Sequence, residues 1–295
     1  MRHLSILLLC ALLGLSACQP VTKREEKPLV MVSIEPLRYF AEQIAGDRFE
    51  IVSMVPKGSA PETYDPTPQQ MVYFSQAKAF LRIGDTPFER MWIEKLEENT
   101  PDLHFFSLSE GIKLLEMEGH YHHMEDGTVI HHADSDPHIW SSVTNAVIIA
   151  RNIAKAFCKI DAANAELFRR NLASLLRQID TTKQQVDGYM AEADSTFLIY
   201  HPALTYFARD YGICQLSLEF DGKQPSPDRL RSLVHDCKEK GTRILFLQTE
   251  IDERNAQVLQ KELNLAVSRI NLLDYDWHTE MVKVAKALHR SHRAK

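Results

Sequence analysis

Residues 29–46 read LVMVSIEPLRYFAEQIAG, and this stretch decides the fold class. Residues 29–33 are almost entirely apolar and predict a buried β-strand. Pro36 stands where the first turn of a helix accepts proline, and the helix should end near Gly46. The buried face of this helix is predicted to consist of Leu37, Phe40, Ile44 and Ala45. A buried strand followed at once by a helix is the repeating unit of α/β sheets.

The same alternation of strand and helix runs through both halves of the chain. Further strands are predicted in the first half at 49–55, 79–83 and 104–107, with a helix starting at Thr67-Pro68. Strands are predicted in the second half at 196–200, 213–218, 243–248 and 267–270, and helices at about 203–211, 227–240, 252–264 and 277–291. Strands separated by helices imply parallel pairing and sheets covered on both faces. The prediction is an α/β protein with two lobes, each a four-stranded, mostly parallel sheet flanked by helices.

The N-terminus predicts export from the cytoplasm. A basic start precedes the apolar run 4–15, which is too short to span a bilayer, so residues 1–17 are interpreted as a cleaved signal peptide. Residues 15–18, Leu-Ser-Ala-Cys, resemble a bacterial lipobox, in which Cys18 becomes the lipidated first residue of the mature protein. The alternative is an ordinary signal peptide with an incidental cysteine. If Cys18 is lipidated, the polar residues 18–27 would tether the fold to a membrane in the periplasm or cell envelope.

The middle of the chain is helical. Apolar residues recur at three- and four-residue steps over 143–157, and a second helix is predicted at about 162–192. At about 1.5 Å per residue that helix would be roughly 45 Å long, which suits a rigid strut between two lobes. A surface helix of one large domain is the alternative. The predicted parts are a signal peptide (1–17), a tether (18–27), an N-terminal lobe (28–161), a connecting helix (162–192) and a C-terminal lobe (193–295).

Composition and charge limit the classes of function that this chain could have. The chain is 44% hydrophobic and 25% charged, as expected for a globular protein, and a mature length of roughly 270 residues allows two cores. The net charge of −6 and the lack of an arginine-rich run argue against nucleic acid and suit a protein that collects cations. Besides Cys18, the mature chain holds Cys158, Cys214 and Cys237 without a C-x-x-C spacing, so a cysteine zinc site is not predicted. An oxidising compartment would allow one disulfide, with its pairing left open.

Residues 119–140, GHYHHMEDGTVIHHADSDPHIW, carry the strongest chemical signal. Five of the thirteen histidines fall within 119–133, and His138 follows in the motif Asp136–Trp140. The five are His120, His122, His123, His131 and His132. Neutral imidazole is the commonest protein ligand for zinc. Because 119–133 has few core-forming residues, it is predicted to be a mobile auxiliary loop that binds extra zinc weakly; a solvated polar loop without a role is the alternative.

Candidate ligands follow the predicted strands. Ligands of open parallel sheets bind beyond the carboxyl ends of strands. The acids, imidazoles and amide found there are Glu62, His138, His201, Glu219, Glu250 and Asn271. Two imidazoles and a carboxylate drawn from both lobes would form a cleft site for zinc or a neighbouring divalent ion. Each of these residues could instead have a purely structural role, as a solvated acid in a loop or as the first residue of a helix.

Five motifs are spread over nearly the whole mature chain. They are Val32–Leu37, Val55–Pro68, Arg82–Gly84 with Phe88-Glu89, Asp136–Trp140, and His201–Ala203 with Tyr206-Phe207. Together they resemble the cluster A-I family of bacterial ABC-transporter substrate-binding lipoproteins, which bind zinc and manganese; Asp136–Trp140 is the most specific motif. The resemblance implies a monomeric, lipid-anchored receptor that captures zinc between two lobes. It would pass the ion to a membrane permease driven by an ATPase and do no chemistry on it.

Two positions depart from the family pattern. Glu62 stands where the family usually has histidine, and Asn271 stands where it usually has an acidic fourth ligand. A neutral amide binds zinc weakly beside a carboxylate, so the fourth ligand is left open between Asn271, Glu219, Glu250 and water. The carboxylate of Glu62 favours manganese, whereas a histidine-rich loop accompanies the family's zinc proteins. Zinc is the prediction and manganese the alternative.

Two other functions use the same residues. An extracellular zinc hydrolase would hold zinc with Glu62, His138 and His201 and keep one position open for water. No H-E-x-x-H motif occurs, however, and no general base can be named. A metal-decorated surface adhesin would use the same fold for attachment. Neighbouring permease and ATPase genes would favour transport, and chelator-sensitive hydrolysis would favour the enzyme.

Overall fold

The computed structural model describes residues 27–84, 86–117, 120–123, 129–132, 135–219, 226–249 and 254–290. The predicted signal peptide, Cys18 and nearly all of the predicted tether lie outside the described residues, as does Glu250. Within the described part, no helix is both long enough and apolar enough to cross a membrane.

Two four-stranded sheets, each parallel throughout, form the two predicted lobes. The first contains Leu29–Val32 (β1), Glu50–Ser53 (β2), Ala79–Arg82 (β3) and His104–Ser107 (β4), in the order β2-β1-β3-β4. A separate antiparallel pair follows, His120–His123 (β5) and Val129–His132 (β6). The second large sheet contains Thr196–Ile199 (β7), Cys214–Ser217 (β8), Ile244–Gln248 (β9) and Ala266–Ile270 (β10), in the order β10-β9-β7-β8. The fold class predicted from the sequence is confirmed.

Helices connect the strands and cover both sheets. They are Glu35–Ala45 (α1), Pro68–Phe74 (α2), Pro87–Asn99 (α3), Val143–Ile160 (α4), Ala165–Met190 (α5), Thr205–Tyr211 (α6), Pro227–Glu239 (α7), Arg254–Leu263 (α8) and Trp277–Leu288 (α9). The local sequence explains where several of these helices begin. The Thr67 and Thr86 side chains each accept a hydrogen bond from the backbone N–H three residues on, and Gln70 and Glu89 return it, with proline as the first helical residue in both cases.

The long helix α5 joins the lobes as the sequence predicts. It packs against α1 and α4 of the first lobe and α9 of the second, and a short 3-10 turn, Ala162–Asn164, precedes it. One hydrophobic core runs through both lobes. Across their boundary, Trp140 Nε1 donates to the Leu272 carbonyl (2.8 Å) and Trp277 Nε1 donates to the Trp140 carbonyl (2.7 Å). Reciprocal bonds of this kind, worth about 0.5–1.5 kcal/mol each, hold the lobes in one relative position.

The histidine-rich segment contains two paired strands where the sequence predicts a mobile auxiliary loop. Strands β5 and β6 pair antiparallel, with His120 opposite His132 and His123 opposite Val129. The sequence carries a signal for this hairpin: Asp126-Gly127 stands between two short runs, and Asp-Gly strongly favours a tight turn. Composition pointed to a loop because histidine and acid outweigh apolar residues. The mobility of the segment and its metal binding stay predictions.

Candidate metal centre

Three predicted ligands from separate parts of the chain meet between the lobes. Glu62, His138 and His201 each offer one ligand atom, and these atoms all lie within 4.8 Å of one another. The two imidazole Nε2 atoms are 3.1 Å apart, and Glu62 Oε1 lies 3.6 Å from each of them. Ligand bonds of about 2.0–2.1 Å in a tetrahedron would put ligand atoms about 3.3 Å apart. The observed triangle therefore has the dimensions of one face of a tetrahedral zinc site.

Local structure places Glu62 and His138 on the first lobe. The loop after β2 contains a turn closed by the Thr63 N–H, which donates to the Ala60 carbonyl (3.2 Å). Pro61 occupies the second turn position, where its fixed φ is favoured, and Glu62 follows at the tip. His138 directly precedes the 3-10 turn Ile139–Ser141 and is only 3% exposed. Both side chains are thus carried by short, constrained segments at the edge of the sheet.

Gln248 fixes His201 on the second lobe. His201 follows β7 by two residues, and the Gln248 side chain at the end of β9 bonds its backbone twice. Gln248 Nε2 donates to the His201 carbonyl (2.6 Å), and the His201 N–H donates to Gln248 Oε1 (3.3 Å). Sequence reasoning missed this residue. Its signal is a polar side chain ending an otherwise apolar strand, Ile244–Gln248.

A carboxylate stands behind each imidazole. Asp136 Oδ1 lies 2.8 Å from His138 Nδ1, and Glu219 Oε2 lies 3.2 Å from His201 Nδ1. An ionised carboxylate only accepts, so both Nδ1 atoms must carry a proton, and each Nε2 that is not itself protonated presents its lone pair to the cluster. Two such lone pairs 3.1 Å apart repel unless a proton or a metal ion lies between them. The arrangement is therefore suited to holding a cation.

The charges of Glu62 and His138 depend on each other. Burial is the largest single influence and favours the neutral form of both, but the neighbouring charges and hydrogen bonds together outweigh it. The hydrogen bond from His138 and the charges of both histidines lower the pKa of Glu62 to about 2. Asp136 and Glu62 together raise the pKa of His138 to about 9 against the effect of burial. At neutral pH without metal, Glu62 is thus an anion and His138 a cation, and an incoming metal ion must displace the histidine proton.

A cavity of about 330 Å³ surrounds the three ligand atoms. Its wall is mostly apolar or uncharged and includes Ala60, Thr63, Trp140, Tyr200, Ala203, Leu272 and Leu273. Glu219 and Gln248 also line it. An apolar wall lowers the local dielectric constant and so strengthens the attraction between a cation and Glu62.

The remaining candidate ligands have other positions. Asn271 does not line the cavity; its Oδ1 accepts from the Leu273 N–H (3.1 Å), and its own N–H donates to Glu280 Oε2 (2.8 Å). The amide thus shapes the turn before α9 and is not brought into the group of three. Glu219 lines the cavity, but its Oε2 contacts His201 Nδ1 and not the Nε2 that meets the other ligand atoms, so it is not one of the group of three. The predicted alternative Glu250 lies outside the described residues.

Comparisons with known proteins point in one direction. The family model described as zinc-uptake complex component A, periplasmic, matches residues 30–284. A crystal structure of a zinc-bound ZnuA deletion mutant is similar with a TM-score of 0.81 and 31% identity, covering 92% of this chain and all of that one. The manganese ABC transporter substrate-binding lipoprotein PsaA of Streptococcus pneumoniae is 26% identical over 277 residues, 88% of this chain and 86% of PsaA. The zinc-binding lipoprotein AdcA of the same species is 25% identical over 285 residues, 93% of this chain and 56% of AdcA.

Proposed function

This chain belongs to the family of periplasmic component A proteins of zinc-uptake complexes, and from that premise we propose that it captures a zinc ion for an ABC importer. The observation that carries the proposal is the triangle of Glu62, His138 and His201, with sides of 3.1, 3.6 and 3.6 Å. The partners are a membrane permease and the ATPase that drives it. The protein acts as the receptor that binds the ion first and releases it to the permease.

Each group in the cluster has a separate task. Glu62 supplies the negative charge, while His138 and His201 supply one Nε2 lone pair each. Asp136 and Glu219 orient the two rings and make them more basic. Asn271 is held in its own turn and Glu219 contacts the His201 ring, which leaves water and Glu250 as candidates for the fourth coordination position. This donor set of two imidazoles and one carboxylate supports zinc, because manganese prefers sites richer in oxygen ligands.

The protein is proposed to be exported and then anchored to a membrane by a lipid. Its relatives include proteins named as lipoproteins, and Leu15-Ser16-Ala17-Cys18 resembles a lipobox. We propose that Cys18 carries the lipid and that the mature monomer is anchored in the cell envelope. Metabolic labelling with a fatty acid tests this: the parent should be labelled, and Cys18→Ser should not.

Transport is better supported than hydrolysis. The two carboxylates next to the cluster, Asp136 and Glu219, are each hydrogen bonded to a ligand imidazole. A carboxylate in that place orients the ring that binds the metal, and the match to the family of zinc-uptake receptors favours transport. Attachment to a host surface stays the alternative, and it differs from transport in needing no permease.

Metal analysis tests the proposed cargo. Mature protein purified without added metal should contain one tightly held zinc ion for each chain. Competition between zinc and manganese should then leave zinc in the site. Manganese displacing zinc at equal concentration would contradict the assignment and favour the second metal. Cells lacking the protein should take up zinc slowly, and the parent gene should restore uptake while His201→Ala should not.

A further inference from the structure

Two of the cysteines lie at the same end of the second sheet. Cys158, Cys214 and Cys237 are free thiols in the structure. Cys214 begins the edge strand β8, and Cys237 lies in the last turns of α7, whereas Cys158 is on α4 near Ala165. We propose that Cys214 and Cys237 form a disulfide bond in the oxidising cell envelope and so tie α7 to β8.

The contacts around Thr242 place Cys214 and Cys237 at the same height along the strands of the second sheet. Cys214 pairs in register with Thr196 of the adjacent strand β7. The Thr196 hydroxyl lies 3.4 Å from the Thr242 hydroxyl, and the Thr242 N–H donates to the Cys237 carbonyl (2.9 Å). The path from Cys214 to Cys237 thus crosses only two threonines. All four residues lie at the end of the sheet where the strands begin, away from the metal centre.

The pleat of the sheet places both cysteines on one face. Residues in register on neighbouring strands project to the same side, and every second residue returns to it. Leu198 and Leu216, two residues beyond Thr196 and Cys214, both pack in the small core that also contains Cys237. That core lies between the second sheet and α7. Cys214 therefore shares the face that α7 covers.

The ionisation of Cys237 agrees with this placement. Burial raises the pKa of its thiol to about 11; a hydrogen bond with Thr242 opposes the rise, and the charges of Asp236 and Cys214 add to it. An effect of Cys214 requires the two sulfur atoms to be near each other. Cys237 is almost completely buried, whereas Cys214 is half-buried. Cys214 is thus the sulfur that an external reagent meets first.

The reaction needs a disulfide donor from the envelope, such as oxidised glutathione or a protein disulfide. The Cys214 thiolate attacks that donor, forms a mixed disulfide and releases one donor thiol. Cys237 then gives up its proton and attacks the Cys214 sulfur, which releases the second donor thiol. The two cysteines lose two protons and two electrons, and the donor disulfide is reduced to two thiols.

The bond would close residues 214–237 into a loop that carries Glu219. This carboxylate orients His201, so the crosslink would restrict the segment behind one ligand. That consequence rests on the proposed function. The existence of the bond does not, because its evidence is the position of the two cysteines.

Peptide mapping tests the bond directly. Trypsin should place the three cysteines in separate peptides, 156–159, 210–223 and 232–238. Protein purified from the envelope without reductant is unfolded, alkylated and digested. We expect 210–223 joined to 232–238, both released by reductant, and 156–159 alkylated throughout. Alkylation of Cys214 and Cys237 before reduction, or a link to 156–159, would overturn the proposal.

Thermal unfolding of the metal-free protein gives a second test, with a phosphine as the reductant because thiol reductants also bind zinc. Reductant should lower the Tm of the parent and of the matched control Cys158→Ser by several degrees. Cys214→Ser should show the lower Tm from the start and no response to reductant. Cys214 is chosen because replacing the buried Cys237 would also disturb packing. A Tm of the parent that reductant leaves unchanged would contradict the bond, whatever the state of the metal centre.

Discussion

The two histidines of the proposed metal centre are held in place by very different contacts. His138 is 3% exposed, and Asp136 accepts hydrogen bonds from both its ring and its backbone N–H, each 2.8 Å long. The His201 side chain is 16% exposed, and its ring has one longer contact of 3.2 Å with Glu219. Trp140 also packs beside the His138 ring, with centroids 5.2 Å apart. The first lobe therefore fixes the His138 ring in one orientation, and the second lobe constrains the His201 ring less.

Removing either imidazole should have the largest effect, but the two variants should differ in stability. His138→Ala and His201→Ala each delete a metal bond and should weaken zinc binding more than the roughly 10- to 100-fold cost of losing an orienting partner. His138→Ala also leaves Asp136 buried without its ring partner and should lower the Tm of the metal-free protein, whereas His201→Ala should not. Calorimetry and thermal unfolding measure both effects. His235→Ala, an exposed histidine on α7, is the control.

Changing Glu62 tests the charged side of the centre. Glu62→Ala should weaken zinc and manganese binding together, because the anion that both metals need is lost. Glu62→His should retain zinc and lose manganese preferentially, since imidazole is the softer ligand. Competition titrations measure the ratio of the two affinities. If Glu62→Ala bound both metals like the parent, Glu62 would be only a loop acid.

The orienting carboxylates should matter unequally. Asp136→Asn should weaken zinc binding about 10- to 100-fold. The contact between Asp136 and the His138 ring is shorter and more buried than the contact between Glu219 and the His201 ring. Glu219→Gln should cost less, because its contact is longer and its ring is already partly exposed. The comparison is made by zinc titration of the two amide variants beside the parent. An equal or larger loss in Glu219→Gln would reverse our ranking of the two lobes.

Proton release should accompany binding at neutral pH. His138 has a raised pKa of about 9, so below that pH a metal ion must displace its proton. The apparent zinc affinity should therefore rise about tenfold for each pH unit between 7 and 9 and then level off. Calorimetry in two buffers with different ionisation enthalpies counts the protons. Zinc binding that releases no proton at pH 7 would contradict the assigned charge of His138.

Deleting the histidine hairpin should have the smallest effect on the tight site. Glu116 and Ser135 form an antiparallel bridge at its base, so a short linker can close the gap left by removing 119–133. The variant should bind fewer zinc ions in total and keep one at the parent's affinity. The extra sites should fade below about pH 6 as their imidazoles protonate. A control with the five histidines changed to asparagine separates loss of imidazole from loss of the hairpin.

The elements of the fold follow closely from local sequence. The predicted strand at 104–107 matches β4, and the predicted helix at 162–192 contains α5. Threonine and proline at positions 67 and 68 begin α2 where the sequence indicates. Caps and periodic apolar faces depend on residues only a few positions apart, so the chain displays them directly. The composition of 119–133 does not predict the pairing of β5 with β6, because histidine and acidic residues outnumber apolar ones there.

The proposed metal centre is different, because it is assembled from residues far apart in the chain. Its three ligand positions could be chosen from the sequence, since each follows a strand or belongs to a recognisable motif. Their mutual distances, the bond of Asn271 to its own turn and the place of Glu219 behind His201 could not. These depend on how two lobes pack on each other and on which rotamers that packing allows. Sequence thus determined which groups are available to bind a cation, and only the packing of the lobes decided which of them meet.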